Sequence, residues 1–350
     1  MSHWRLLDTG LRPAAENLAL DRALLEAQAA GEAPPTLRFL RFERSALVGH
    51  HQDPRQELDL AYCREQGIPV QRRLTGGGAI YFEPAHLGCE VLDPRTALGG
   101  ADMNGIARRL CEAAAAGLSA LGVDARFRAR NDIEVDGRKV GGTGGTVEDG
   151  AILYQGTVLT RMDADAMAAV LRVPAAKLAD KPASALRERV TDLADLLGEA
   201  PAEEALRGAL AEAFAGALGA RFQGSGLLEA ETRRFRRART EIDRDDWVYA
   251  VAAPEAPDGT ALYRCPGGLL RAAVRLGGGG RILRQAWLGG DLLIDPPRAV
   301  PDLEAALRDT PVAELRERVH AFFEGGWIEA VALGPDEIAD ALSRAVEAAA

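Results

Sequence analysis

The sequence predicts an α+β protein of two domains, and three observations support this prediction. Its 350 residues exceed the usual size of a single domain, about 100–200 residues. Residues 1–230 alternate segments of strand periodicity with segments of helical periodicity, whereas residues 231–350 contain a shorter set of strands and helices. Residues 228–247 carry clustered arginines followed by aspartates, which we interpret as a hinge. We therefore expect domains at 1–230 and 231–350.

The spacing of apolar residues locates the individual elements. Asp136-Gly137 is a pair favoured in tight turns, and it separates the strand-like run 133–135 from a return strand that begins at Lys139. Glycines 277–280 separate two further strand-like runs in the same way. The predicted helices lie at 18–27, 102–122, 163–171, 202–218, 302–309, 312–324 and 335–348, and the predicted strands at 36–49 (a pair), 151–159, 247–253, 270–276 and 282–288.

Composition and charge exclude several classes of protein. With 47% hydrophobic and 27% charged residues, the chain is typical of a soluble globular protein. A net charge of −10 disfavours a general nucleic-acid binder. The sequence contains no run of 18 apolar residues, the length that a membrane span requires, and the N-terminus lacks the apolar segment of a signal peptide. We expect a cytoplasmic protein that binds neither nucleic acid nor membrane.

Cysteine and histidine spacing offers no metal centre. The four cysteines, at 63, 89, 111 and 265, lie far apart and form no CxxC pair, so we expect isolated buried thiols. The five histidines show no HExxH or other ligand spacing, and no GxSxG motif indicates a serine hydrolase. We therefore predict no resident metal.

Arginine supplies nearly all of the positive charge. Of 42 basic residues, three are lysines: Lys139, Lys177 and Lys181. A lysine in such a background suggests a need for a compact point charge that a planar guanidinium does not replace. Lys139 is the strongest candidate because it leads into the glycine-rich segment 141–145, although a solvated lysine after a surface hairpin is the alternative. Lys177 and Lys181 precede Pro182, which fits either a mobile lid or a solvated helix end.

A second glycine-rich segment follows two arginines at Arg72 and Arg73. Gly76, Gly77 and Gly78 give a backbone that can approach a ligand closely and offer N–H groups to an anion, and the arginines could add charge-assisted bonds to a phosphate. The segment is neither a Walker loop nor a GxGxxG motif. An ordinary hairpin loop beside chance arginines is the alternative.

Taken in order, these segments resemble the lipoate–protein ligase family. The resemblance extends over about residues 5–220, and the C-terminal part resembles the accessory domain that lipoate ligases carry in the same chain or as a separate protein. It implies the mixed-sheet α+β fold shared by biotin and lipoate protein ligases, with a small α+β accessory domain. The matching segments are 17–21, 49–52, 72–81, 131–133, 137–142, 155–157, 177–181 and 189–191.

The resemblance also implies a two-step reaction. Lipoate and ATP, with Mg²⁺, give lipoyl-adenylate and pyrophosphate, and the lipoyl group then passes to a lysine of a carrier such as an H-protein-like lipoate-binding protein or an E2 lipoyl domain. Lys139 matches the lysine that bridges the carboxylate and the α-phosphate. The residues expected to bind ATP or the adenylate are Arg72, Arg73, Thr75, Gly76, Gly77, Gly78, Ala79, Ile80, Tyr81, Asn131, Asp132, Gly142, Thr143 and Lys181.

Three departures from the commonest family pattern leave the acyl substrate open between lipoate, octanoate and another acid. Tyr81 is followed by Phe82-Glu83 instead of His-Asp, residues 139–144 read Lys-Val-Gly-Gly-Thr-Gly instead of Lys-Ile-Ser-Gly-Ser-Ala, and residues 154–156 read Tyr-Gln-Gly instead of His-His-Gly. These changes suggest a specialised branch, similar to the two-domain ligases of sulfur-oxidising bacteria.

Two other functions remain as alternatives. Octanoyl transfer from an acyl carrier protein needs no ATP and uses a cysteine that lies shortly before the lysine segment in the relatives that perform it. Residues 112–138 contain no cysteine, which disfavours this reaction. A non-catalytic protein that only holds an acyl-adenylate or a carrier would show no transfer.

Overall fold

An eight-stranded mixed sheet forms the centre of the N-terminal unit in the computed structural model, which describes residues 2–94, 102–128, 131–172, 186–326 and 328–349. The strands of this unit are β1 (Ser2–Arg12), β2 (Thr36–Phe42), β3 (Ser45–Val48), β4 (Val70–Arg72), β5 (Ile80–Phe82), β6 (Leu87–Pro94), β7 (Arg126–Arg128), β8 (Asp132–Val135), β9 (Arg138–Glu148), β10 (Ala151–Val158) and β11 (Ala220–Gly224). The large sheet has the order β11-β1-β2-β6-β10-β9-β8-β7, and β4-β3-β5 form a second, small sheet. Strand β1 pairs in parallel with β2 and β11, whereas the remaining pairs of the large sheet are antiparallel.

Helices cover both faces of the large sheet. The described helices of this unit are α1 (Ala14–Ala29), α2 (Pro54–Glu57), α3 (Leu60–Glu65), α4 (Met103–Ser119), α5 (Ala164–Val170), α6 (Leu193–Leu197), α7 (Glu203–Leu218), α8 (Glu229–Ile242) and α9 (Asp245–Val248). The Asp102 side chain caps α4 by accepting from Gly105 N, and the apolar stripe of α4 packs with α7 on one face. Helices α1 and α8 pack on the opposite face.

The C-terminal unit has a sheet and an apolar core of its own. Its strands are β12 (Gly259–Cys265), β13 (Gly268–Gly277), β14 (Ile282–Gly290), β15 (Ile294–Asp295), β16 (Thr310–Pro311) and β17 (Glu329–Ala330), and its described helices are α10 (Ala299–Ala306), α11 (Leu315–Glu324) and α12 (Pro335–Glu347). Strands β12, β13, β14 and β16 form an antiparallel sheet, against which α12 buries Ile338 and Leu342. The predicted fold class, a mixed-sheet α+β unit followed by a small α+β unit, is confirmed.

The arginine-rich segment, which we interpreted as a hinge, forms the helix α8. Its Ala238 and Ile242 are fully buried in the cluster that includes α1, while Arg234 pairs with Glu32 at 2.8 Å on the outer side. The strand predicted at 247–253 is wrong, since α9 and an irregular stretch occupy these positions. Seven residues of mainly apolar character do not by themselves separate a strand from a buried turn of helix.

The tight turn before Lys139 is confirmed. Asp136 and Gly137 both adopt positive φ angles, 50° and 77°, as a two-residue hairpin turn requires. Strand β9 therefore runs back along β8, with Lys139 opposite Glu134. No described helix is long and apolar enough to cross a membrane.

Candidate active site

A cavity of about 240 Å³ lies where β5, β6, β9 and β10 meet the glycine segment 76–78. It brings together most of the residues that the sequence singled out: Arg73, Thr75, Gly76, Gly77, Gly78, Ala79, Ile80, Tyr81, Asn131, Lys139, Gly142 and Thr143 all line it. Asp132 contacts the site through Lys139, Arg72 points elsewhere, and Lys177 and Lys181 lie outside the described residues.

Lys139 is held at the cavity by its hairpin and by a neighbouring segment. Its backbone N–H donates to Arg189 O and its carbonyl accepts from Thr191 N, both at 2.8 Å. The pairing of β8 with β9 shifts register beside Lys139, which re-aims the side chain, and Nζ lies 2.6 Å from Asp132 Oδ1. The absence of a side chain at Gly142 leaves room for this amine, because a Cβ there would lie 2.6 Å from Nζ.

The glycine segment is shaped by backbone packing as well as by the cavity. A Cβ on Gly76 would lie 1.9 Å from Leu292 O of the C-terminal unit, and a Cβ on Gly49 would lie 2.0 Å from Gly77 O. Gly77 donates its N–H to Leu292 O at 3.0 Å and has a φ of 95°. The C-terminal unit therefore supports the loop directly, a contact that the sequence did not reveal.

Arg73 supplies a positive charge, and no carboxylate of the described residues lies within hydrogen-bond distance of it. Its Nη2 donates to Gly76 O at 3.2 Å and Gly78 O at 2.9 Å, while Nη1 is buried without a hydrogen-bond partner among the described residues. Burial lowers the pKa of Arg73 to about 10, so the guanidinium stays charged at neutral pH. A buried, unpaired donor of this kind favours an anionic or strongly polar ligand.

Arg72, expected to bind the nucleotide, has a structural role instead. Its side chain is 1% exposed and does not line the cavity. The guanidinium donates to four backbone carbonyls, those of Gly49, His50, Trp247 and Val248, at 2.7–3.1 Å. It thereby ties α9 to the end of β3. The side chains of consecutive residues in extended backbone point to opposite sides, and the sequence did not indicate which of the two arginines faces the cavity.

Asn131 and Thr143 form a small polar bridge at the edge of the cavity. Asn131 Nδ2 donates to Thr143 O at 2.5 Å, and Thr143 Oγ1 lies 2.6 Å from the Tyr154 hydroxyl and 3.2 Å from Cys111 Sγ. These bonds hold the beginning of β8 against β9, beside the Asp132–Lys139 pair.

A buried ionic network that was not predicted from the sequence lies behind the cavity. Arg38 Nη1 donates to Asp21 Oδ1 at 2.6 Å and to Glu90 Oε2 at 2.8 Å, and all three side chains are at most 1% exposed. Gln155 continues the network to Thr75 in the glycine loop, since its Oε1 accepts from Thr75 Oγ1 at 2.9 Å. Burial and the neighbouring Glu90 raise the pKa of Asp21 well above its usual range. Glu90 and Gln155 interrupt apolar strand runs, which was the available signal.

The rest of the lining is largely apolar and fits a hydrocarbon chain. Aliphatic and aromatic side chains from β2, β5 and the region around α5 contribute to it: Leu40, Phe42, Ile80, Phe82, Leu159, Met167 and Leu171. The site therefore combines two cations, a glycine-rich loop and an apolar compartment. That combination suits a carboxylic acid with an aliphatic tail whose charged end reacts.

No cysteine lines this cavity. Cys89 and Cys111 belong to the α4 side of the sheet, where Cys111 Sγ contacts Thr143 and Tyr154, and burial raises the pKa of Cys89 to about 12. Cys63 is a buried residue of α3, and Cys265 belongs to the C-terminal unit. Among the described residues, no three His, Cys, Asp or Glu side chains converge to hold a metal ion.

Comparison with known sequences defines the class of protein. Residues 13–215 match the lipoyl protein ligase A/B catalytic domain, so this chain belongs to that family. Members of this family transfer lipoyl or octanoyl groups to lipoyl domains, and this protein is accordingly an enzyme of the lipoate ligase and octanoyltransferase group.

Similar curated proteins carry both activities in their names. An octanoyltransferase LipM from Kyrpidia tusciae is 32% identical over 273 residues, which cover 71% of this chain and 99% of the relative. The lipoate-protein ligase A subunit 1 from Thermoplasma acidophilum is 33% identical over 225 residues, which cover 61% of this chain and 84% of the relative.

Solved structures support the fold of both units. A bipartite lipoate protein ligase from Thermoplasma acidophilum, described with its E2 lipoyl domain, matches 73% of this chain and 100% of its own, with a TM-score of 0.65 and 30% identity. A lipoate-protein ligase A bound with ATP matches 72% and 99%, with a TM-score of 0.61 and 28% identity. LipL1 of Plasmodium falciparum matches 96% and 98%, with a TM-score of 0.73 at 18% identity, and shares the fold of both units.

Proposed function

We propose that this protein is an ATP-dependent lipoate–protein ligase, which activates lipoate or octanoate as an acyl-adenylate and transfers the acyl group to a lysine of a lipoyl carrier protein. The observation that carries this proposal is the composition of the cavity, which presents Lys139 and Arg73 but no thiol. A ligase needs cations that reduce the repulsion between the carboxylate and the phosphate when they react, whereas a thioester mechanism needs a nucleophilic sulfur.

In the first step a carboxylate oxygen of the acid attacks the α-phosphorus of ATP. The new bond is O–P, and pyrophosphate leaves with the electron pair of the broken P–O bond. Lys139 is the cation at this position, oriented by Asp132 at 2.6 Å, and the Arg73 guanidinium adds positive charge within the same cavity. Both cations reduce the repulsion between the carboxylate and the phosphate as the transition state forms. Mg²⁺ enters on the ATP phosphates, as part of that substrate.

In the second step the neutral amine of the carrier lysine attacks the acyl carbonyl carbon and forms a C–N bond, AMP leaves with the electron pair of the broken C–O bond, and the nitrogen releases one proton to solvent as the amide forms. Lys139 stays beside the carbonyl oxygen and stabilises the negative charge that develops on it. A related ligase has been described together with its E2 lipoyl domain, which supports a lipoyl domain or an H-protein-like protein as the carrier.

The positions of the cysteines favour the ligase. Glu90 faces α1 through its contact with Arg38, and its strand neighbour Cys89 therefore faces α4. Cys111 is on α4 itself, so both sulfurs lie on the side of the sheet opposite to the Arg38–Glu90 network. Burial also raises the pKa of each thiol, which keeps the nucleophilic thiolate scarce.

The second candidate function is octanoyl transfer from acyl carrier protein, because a LipM octanoyltransferase is similar along nearly its entire length. This reaction would need a thiol that can reach the acyl carbonyl at Lys139, and none of the four cysteines of the chain lines the cavity.

One assay separates the two functions. The purified protein is mixed with lipoate, ATP and Mg²⁺ in the absence of any carrier, and released pyrophosphate is measured. The ligase releases one equivalent of pyrophosphate per active site and retains acyl-adenylate. If the protein releases no pyrophosphate but transfers the octanoyl group from octanoyl-acyl carrier protein to a lipoyl domain, it is an octanoyltransferase and not a ligase.

A further inference from the structure

A row of residues across the large sheet places polar side chains in the wall of the apolar part of the cavity. Gly144 on β9, Gln155 on β10, Glu90 on β6 and Arg38 on β2 lie opposite one another in the strand register. Gly144, Gln155 and Glu90 all line the cavity. Burying a carboxylate is unfavourable, so we would not expect one in the wall of a compartment that held only hydrocarbon.

The contacts fix the orientation of the Gln155 amide. The same atom of Gln155 lies 2.8 Å from Asp21 Oδ2 and 2.6 Å from Glu90 Oε1. An amide oxygen in that place would require both neighbouring carboxyl groups to be protonated, so the atom is the NH₂ nitrogen. Both of its hydrogens are then used, and Oε1 is turned towards Thr75, whose hydroxyl donates to it at 2.9 Å.

The hydrogen-bonding capacity that remains on this wall consists of acceptors. Glu90 accepts one bond on each oxygen, which leaves lone pairs free, and Gln155 Oε1 has one lone pair left. Thr75 has spent its proton on Gln155. A ligand atom that reaches the wall therefore meets acceptors of Glu90 and Gln155. A hydroxyl group can donate a hydrogen bond to them, whereas a methyl group cannot.

The wall lies at the distance of the far end of a medium-chain acid. The Lys139 amine sits beside Gly142, and Glu90 is two residues along and two strands across from that point. With the usual strand spacing and rise, this separation is about 12 Å. An acid whose carboxylate lies at Lys139 therefore places the end of its aliphatic chain at Glu90 and Gln155.

We propose that Glu90 and Gln155 select a medium-chain carboxylic acid that carries a hydrogen-bond donor, a hydroxyl or a thiol, at its distal end. This inference rests on the proposed function for the direction in which the acid lies. Octanoate places a methyl group against the Glu90 carboxylate and lacks the hydrogen bond that a terminal hydroxyl would donate to it.

The test is a calorimetric comparison of octanoate with 8-hydroxyoctanoate, both titrated into the full-length protein without ATP. A hydrogen bond to a charged acceptor predicts that the hydroxy acid binds at least about tenfold more tightly. Equal binding, tighter binding of octanoate, or no binding of either acid would overturn the proposal. The titration uses no ATP, so it tests this proposal separately from the ligase activity. A protein that prefers the hydroxy acid but releases no pyrophosphate would contradict the proposed ligase function and would still support the role of Glu90 and Gln155.

Two variants locate the preference. Glu90→Gln replaces an acceptor by an amide that carries donors, so the ratio of the two dissociation constants is expected to fall to about 1. Thr157→Val is the matched control, because Thr157 lines the same cavity but its side chain forms no hydrogen bond with Arg38, Glu90 or Gln155, and the wild-type ratio is expected to persist. A Glu90→Gln protein that keeps the full preference would contradict the assignment. If this variant does not fold, the wild-type titration alone decides.

Discussion

Replacing Gly142 by alanine separates the placement of the Lys139 amine from the stability of the fold. The new Cβ would lie 2.6 Å from Nζ and 2.7 Å from Cε, and Gly142 does not have a positive φ, so the backbone accepts alanine. An ordinary contact needs at least 3.4 Å, so the amine must move by about 0.8 Å and leave Asp132. A displacement of about 1 Å at a reacting group lowers a rate by about 100-fold. We expect that loss in adenylate formation.

Stability is expected to change little in this variant. The atoms that move belong to the tip of a side chain that is 38% exposed, and a partly exposed ion pair contributes about 0–1 kcal/mol. Gly141→Ala is the contrasting variant, because its Cβ would meet the backbone oxygen of Thr157 at 2.7 Å, and the sheet would have to shift. We expect it to destabilise the protein by about 1–3 kcal/mol.

The assay compares lipoate-dependent pyrophosphate release with the midpoint of urea unfolding for each variant. Gly208→Ala serves as the control for a glycine-to-alanine change, because Gly208 is exposed on α7 with no atom within 4 Å of the new Cβ. It should retain wild-type activity and gain about 0.5–1 kcal/mol of stability. A Gly142→Ala protein with normal pyrophosphate release would refute the positional role of Lys139, and so would a loss of activity explained entirely by unfolding.

Four other changes test separate parts of the account. Lys139→Ala should lower adenylate formation by at least about 100-fold without changing the circular dichroism spectrum, because it removes a charge aimed at the reacting groups; near-normal turnover would contradict this role. A protein with Cys89 and Cys111 both changed to alanine should retain transfer within about threefold, and abolished transfer in a folded variant would favour a thioester mechanism. Arg72→Ala should lower the free energy of unfolding by about 3 kcal/mol, since buried carbonyls lose their donor, while the KM for ATP measured on the folded protein stays within about twofold; a raised KM at unchanged stability would restore Arg72 to the binding site. Asp93 is fully buried with no hydrogen-bond partner among the described residues, and burial raises its pKa to about 7. Because the folded pKa exceeds the unfolded one, its charge disfavours folding increasingly between about pH 4 and pH 7, so Asp93→Asn should gain about 2–4 kcal/mol over wild type across that range and hold the gain above it; in denaturant unfolding at pH 4.5, 6 and 8, a difference that stays constant or falls with pH would contradict the raised pKa.

The local sequence was sufficient for the elements that depend on short-range patterns. The turn at Asp136-Gly137, the amphipathic helix at 103–119 and the strand at 151–158 follow from residue type and spacing alone. The helix that contains the arginine-rich segment 233–239 was not predicted, because its charged side chains hide the two buried positions, Ala238 and Ile242, that pack it on α1.

Part of the site was predictable because its residues form short, unusual stretches of sequence. Lys139 is one of three lysines and the glycines are consecutive, but the choice between Arg72 and Arg73 depends on which of the two side chains faces the cavity. The network of Arg38, Glu90 and Gln155 joins three strands that are far apart in the chain, and the seat of Gly76 on Leu292 joins two units. Contacts of this kind are fixed by tertiary packing, which a single sequence does not display.

The most direct test of the central claim is the intact mass of a lipoyl carrier. A purified apo lipoyl domain or H-protein-like domain is incubated with this protein, lipoate and Mg²⁺, in parallel with and without ATP. We expect the mass of the carrier to rise by one lipoyl group only when ATP is present, and the increase to disappear with the Lys139→Ala enzyme. A further incubation supplies octanoyl-acyl carrier protein in place of lipoate and ATP. If the carrier gains an octanoyl group there but gains no mass with lipoate and ATP, the ligase function would be contradicted.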